Sequence, residues 1–155
     1  MFNDCSIRMN IISNISFLMV GFAGMEFFSW FIHKYIMHGP LWNIHKTHHV
    51  HTKGFFELND LFSILFGSIA IILIFSGVQS LDYRFWLGCG ISLYGISYFV
   101  LHDILIHRRV KVKKKPKGKY LNGISRAHRA HHKSNQKDKA VSFGLFIVPF
   151  RFFKK

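Results

Sequence analysis

Residues 44–51 read IHKTHHVH, with imidazoles at His45, His48, His49 and His51. The pattern returns near the other end as HRAHH, with His128, His131 and His132. Both triplets follow the spacing i, i+3, i+4, which puts three side chains on one face of a helix. Two pairs, His33 with His38 and His102 with His107, are spaced i, i+5. That is about 140° of rotation on an ideal α-helix, and a π-bulge would turn the second ring toward the first. All 11 histidines lie between His33 and His132, in these four groups. Neutral imidazole is a metal ligand, and several on one face can grip one centre. Ten imidazoles exceed the four ligands at which a structural zinc closes, so the count fits two metal ions. The chain has neither the paired cysteines of a zinc finger nor an H-E-x-x-H motif. Imidazole suits Fe, Cu, Zn and Ni alike. Two redox-active irons beside a membrane would suit oxygen chemistry on a lipid, and zinc would bind the same ligands tightly in purified protein. His51 falls outside the repeated pattern and reads as a surface or supporting residue.

Metal-bound imidazoles usually donate their other N–H to a carboxylate or carbonyl. Four acids are placed to accept. Asp103 adjoins His102, Glu57 and Asp60 precede an apolar run, and Glu26 lies seven residues before His33, close to the same helix face. Asp60 reads equally well as a helix N-cap. Glu26 stands in an apolar stretch, where a carboxylate is costly unless it faces protein.

The elements that must position these groups are apolar. Half of the residues are hydrophobic and Phe alone contributes 18, yet the net charge is +14. A membrane protein reconciles the two by separating them along the chain. From Arg108 onward lie 16 of the 21 Lys and Arg, with one acid, Asp138. The expected fold is an all-α integral membrane protein of one domain, 1–155, with three or four transmembrane helices. The spans are expected at about 12–36, 60–79 and 84–107. A basic loop (108–120), a His-rich helix (124–136) and an interfacial tail (140–155) follow. Gly88, Gly90 and Gly95 suit close helix packing in lipid. Cys5 and Cys89 make no disulfide framework.

Topology tests the idea of a shared site. The first span ends at the first two His groups, the second leaves that side and the third returns to it. Three spans therefore put all four groups at one face of the bilayer. The basic loop after the third span makes that face, and the C-terminus, cytoplasmic by the positive-inside rule.

The motifs HKYIMH, HKTHH, FELND, YFVLHDILIH and HRAHH, in this order, resemble those of bacterial β-carotene hydroxylases, within the membrane fatty acid hydroxylase and sterol desaturase superfamily. The resemblance runs from about residue 20 to SFGLF at 142–146. It implies a non-haem di-iron centre. Its ligand set would be His33, His38, His45, His48, His49, His102, His107, His128, His131 and His132. It also implies a monooxygenase reaction using O2 and two electrons, usually from ferredoxin, which hydroxylates carbon 3 of a β-ionone ring. β-Carotene would become β-cryptoxanthin and then zeaxanthin, in the bacterial inner membrane. The substrate would come from the bilayer, and FFSWF (27–31) and Phe55–Phe56 are candidate lining. Hydroxylation or desaturation of acyl chains or sterols is the runner-up, and a non-catalytic haem or metal carrier is the third reading. Nucleic-acid binding is discounted, because the basic segment is tied to membrane helices.

Overall fold

The computed structural model describes residues 2–50, 54, 56–111 and 117–154, with the backbone alone for 2–9. His51, Phe55 and Lys113–Lys115 lie outside the described residues, as does the side chain of Cys5. The elements are α1 (Phe2–Phe31), a π-helical segment (Ile32–Met37), α2 (Trp42–His49), α3 (Asp60–Gly77) and α4 (Tyr83–Tyr98). A second π-helical segment (Phe99–Ile106), α5 (Lys119–His132) and a 3-10 turn (Phe150–Phe153) complete the chain. No strand occurs among the described residues.

Three helices are long and apolar enough to cross a membrane: Asn10–Met37, Asp60–Gly77 and Tyr83–Ile106. These are the three expected spans with no end moved by more than two residues, and the described residues hold no fourth. Only 11% of the most apolar window of the second span is buried by protein. Ile64, Ile72 and Phe75 are more than 60% exposed. Such a surface is stable in lipid and not in water. The chain is an all-α membrane protein.

The chain divides into two compact units, Met1–Met25 with Phe62–Ile96 and Glu26–Leu61 with Ser97–Lys155. In the first unit, glycine sets the distance between α1 and α4. A Cβ on Gly90 would run into the carbonyl of Leu18, and one on Gly21 into the carbonyl of Leu87. Gly88 approaches α3 in the same way, since a Cβ on it would lie 2.9 Å from Ala70 O, whereas one on Gly95 would meet open space. Phe22 meets the buried Tyr94 edge-on at 5.6 Å. Asp82 ties the hairpin between α3 and α4 by accepting from Ser80 Oγ and from Arg84 at its backbone N, Nε and Nη2.

The second unit carries every described histidine. Here two expected boundaries change. α5 starts at Lys119, so the last two residues of the expected basic loop are helical; the left-handed Gly118 (φ +100) turns the chain into the helix. α5 stops at His132 rather than running to residue 136, and beyond it Ser134 O accepts from His49 Nδ1 and Lys137 O from His38 Nδ1. The tail folds onto the unit. Phe153 seats on Gly123, Arg126 donates Nε and Nη2 to Phe152 O, and Glu26 Oε1 accepts from the N–H groups of Phe146 and Ile147.

Candidate metal centre

The i, i+5 pairs converge because the backbone changes pitch beneath them. His38 N donates to His33 O at 3.0 Å and His107 N to His102 O at 2.8 Å. These five-residue bonds stack each pair on one side of its π-helical segment. Ring centroids are 5.3 Å apart in the first pair and 4.5 Å in the second. α2 and α5 supply the triplets at ordinary helical spacing.

Nine imidazoles fall into two groups. His33, His38, His45, His49 and His131 form one; His48, His107, His128 and His132 form the other. Within each group one nitrogen of every ring lies within 4.8 Å of those of the others. The triplets are split between them: His45 and His49 face the first group and His48 the second, while His131 faces the first and His128 and His132 the second. His49 and His132 stack at 4.5 Å and 20° where the groups meet. His102 stands beside the second group. Its ring is 4.8, 4.5 and 4.6 Å from those of His48, His107 and His128, and it stacks on Tyr98 at 4.4 Å.

The outer nitrogens fix the tautomers. Nδ1 of His33, His38, His49 and His131 points at the carbonyls of Phe143, Lys137, Ser134 and Val141, at 2.8, 2.9, 3.1 and 3.2 Å. His45 Nδ1 points at Asn59 Oδ1 at 2.8 Å. A carbonyl only accepts, so each Nδ1 carries the proton and each Nε2 of a neutral ring presents a lone pair. Yet Nε2 of His45 lies 3.0 Å from that of His33 and 3.2 Å from that of His49, and the Nε2 atoms of His38 and His131 are 3.1 Å apart. Two acceptors at that distance repel unless a cation lies between them. In the second group His48 Nε2 and His132 Nε2 are buried without a hydrogen-bond partner, and Nε2 of His107 and His128 are 2.7 Å apart. Both groups can therefore hold a metal ion, and the donor set fits one.

Burial keeps these rings neutral. Desolvation, then repulsion from neighbouring imidazoles, lowers the pKa of His48, His128, His131 and His132 well below the ordinary histidine value. Desolvation brings His45 to about 3, although Asn59 opposes it, and His49 to about 4. His38 is lowered as well, with desolvation outweighing its bond to Lys137 O.

The four expected acids divide. Glu57 Oε2 accepts His48 Nδ1 and Asp103 Oδ1 accepts His102 Nδ1, both at 2.8 Å. Asp60 accepts instead from Glu57 N and from Arg109 Nη1. Glu26 Oε1 accepts from the tail backbone, where Phe146 and Ile147 bring two N–H groups to it at 2.9 Å each.

Sequence reasoning missed several supports. Arg109, hidden in a basic run, donates to Glu57 and Asp60 and lies 3.6 Å from Asp103. Asn59 stood in view within FELND, between the two acids singled out. Phe143 packs edge-on against His33, His38 and His131 at 5.5, 5.2 and 5.2 Å. Phe27, Phe28 and Phe56, expected as substrate lining, are 60, 55 and 81% exposed.

A family model described as "Fatty acid hydroxylase" matches residues 18–153. The chain is 40% identical to the beta-carotene hydroxylase of Pantoea ananas over 136 residues, 88% of this chain and 78% of that protein. It is 38% identical to the beta-carotene hydroxylase of Paracoccus sp. (strain PC1) over 126 residues, 81% of this chain and 78% of that one. Beta-carotene 3-hydroxylase 2, chloroplastic, of Arabidopsis thaliana is 39% identical over 137 residues, 85% of this chain and 45% of that longer protein. No solved structure matches.

Proposed function

Since the chain belongs to the fatty acid hydroxylase family, we propose that it is a membrane monooxygenase hydroxylating carbon 3 of the β-rings of a carotenoid, β-carotene through β-cryptoxanthin to zeaxanthin. The observation that carries the chemistry is the inward convergence of Nε2 lone pairs in two groups of buried histidines. The relatives named beta-carotene hydroxylase support the substrate class.

The reaction takes a ring C–H, O2, two electrons and two protons to C–OH and water. Two iron ions, held by the five- and four-histidine groups with His102 beside the second, would supply the redox equivalents and the open positions for O2. The protein's own part is positional. The carbonyls of Phe143, Lys137, Ser134 and Val141, with Asn59, Glu57 and Asp103, fix ring orientation and strengthen each imidazole as a donor. Phe143 and the buried His45 and His131 keep water from the first group. The low pKa of His45 and His49 leaves them unprotonated and ready to ligate at neutral pH. A long apolar substrate reaches such a site from lipid, past the exposed Phe27, Phe28 and Phe31. Ferredoxin is the electron donor we favour. The inner membrane of a bacterium, with the histidine groups and C-terminus on the cytoplasmic side, is the location that the basic segment after the third span supports.

Expression in a host that accumulates β-carotene tests the reading. Zeaxanthin and β-cryptoxanthin are expected by chromatography. Unchanged β-carotene beside an inserted, metal-loaded protein, with hydroxylated acyl chains in its lipids, would move the assignment to the acyl-chain reading that the family description also fits.

A further inference from the structure

The tail and the start of α5 enclose a cleft of about 650 Å3 lined by Lys119, Asn122, Arg126, Phe150, Phe153 and Lys154. Among the described residues it holds three cations and no carboxylate. Lys119 and Lys154 form no ion pair among the described residues. Arg126 gives Nε and Nη2 to Phe152 O, which holds the 3-10 turn but leaves its charge unbalanced. The first turn of α5 opens here with no side-chain cap, adding the positive end of its dipole. The cleft is suited to an anion.

A second observation says what kind of anion. Glu26 Oε1 takes the N–H groups of Phe146 and Ile147, and Tyr120 Oη donates to Phe146 O at 2.8 Å. The tail and the start of α5 are thus fastened beside residue 26 of the span Asn10–Met37. Glu26 belongs to a helix whose next residues, Phe27 and Phe28, are 60 and 55% exposed, an apolar surface suited to lipid. The neighbouring side chains agree: Ile147 is 78% exposed and Phe150 72%. Cations beside an exposed apolar rim on a membrane helix match an amphiphile, with its phosphate in the cleft and its chains on the rim. A free phosphate would gain nothing from the rim.

We propose that this cleft binds one anionic glycerophospholipid, with its phosphate held by Lys119 and Lys154 and its first acyl methylenes lying over Phe150 and Ile147. The proposal is independent of the metal groups and of the reaction assigned to them.

The test is native mass spectrometry of the full chain in a neutral detergent, offered phosphatidylglycerol, phosphatidylcholine of the same acyl chains, or inorganic phosphate. The wild type is expected to retain one phosphatidylglycerol in preference to phosphatidylcholine. Lys119→Gln/Lys154→Gln is expected to lose roughly thirtyfold in that retention, about 1 kcal/mol for each cation. Its unfolding temperature in lipid-free detergent and its metal content should match the wild type. Millimolar phosphate is expected to leave the lipid in place. Equal retention of the two lipids by the wild type would overturn the proposal, and that reading does not depend on the variant folding. Displacement of the lipid by inorganic phosphate would also overturn it, making the cleft a site for the free ion.

Discussion

Arg109 Nη2 donates to Glu57 Oε2 at 2.8 Å, and the same oxygen accepts the Nδ1 proton of His48 at 2.8 Å. The guanidinium also holds Asp60 and lies 3.6 Å from the Asp103 oxygen that receives His102 Nδ1. One cation therefore stands behind two imidazoles, both on the side of the second histidine group. Removing a support of this kind typically costs 10–100-fold in metal affinity. Arg109→Gln is expected to weaken the second position by about that factor and leave the first. At limiting metal, elemental analysis should fall from two ions per chain toward one. Equal weakening of both positions would contradict this role.

The split of each triplet between the groups makes a sharper prediction. His128→Ala and His48→Ala remove donors from the second group, and His131→Ala removes one from the first. All three are expected to abolish hydroxylation while the protein still inserts. Each should retain one ion, at the group left intact. Full activity in His128→Ala and His48→Ala would remove those residues from the ligand set.

Glu26 separates a metal-supporting role from a structural one. Glu26→Ala leaves two backbone N–H groups without their acceptor, at a cost of about 1–3 kcal/mol. A lower unfolding temperature in detergent is expected. Glu26→Gln keeps a side-chain oxygen in place and should stay near the wild type in stability and metal content. Loss of metal in Glu26→Gln with unchanged stability would place the carboxylate among the metal's supports instead.

Phe143 packs on three imidazoles of the first group. Phe143→Ala opens that side and is expected to cost about 2 kcal/mol, below the range for a fully buried ring because Phe143 is half-buried. The measurement is the rate at which a chelator strips metal from the folded protein. It should rise in Phe143→Ala and recover in Phe143→Leu.

The spans and the histidine groups were legible because their signals are local. Apolar runs of membrane length mark the helices, and spacing alone pairs His33 with His38 and His102 with His107. The π-helical pitch that makes those pairs useful was visible only as a geometric need, and the bonds from His38 to His33 and His107 to His102 meet it. The rest depends on contacts distant in sequence. His33 Nδ1 meets Phe143 O across 110 residues, and Glu26 reaches Ile147 across 121. Nothing in SFGLF marks Phe143 as a neighbour of imidazole. Arg109 looks like any other charge in a run that signals topology, until Glu57, Asp60 and Asp103 are seen around it. The end of α5 was misread because no breaker follows His132 at once. Past that end the carbonyls of Ser134 and Lys137 accept from His49 and His38, contacts distant in sequence.

The central claim is that two ions occupy the two groups, held by imidazole nitrogen. X-ray absorption on the full 155-residue chain, purified metal-free and loaded anaerobically with ferrous iron, tests it most directly, together with the iron count. The account predicts two irons per chain with nitrogen-dominated first shells, and one iron in His128→Ala. A count of one or none in the folded wild type, or a shell without imidazole scattering, would contradict it.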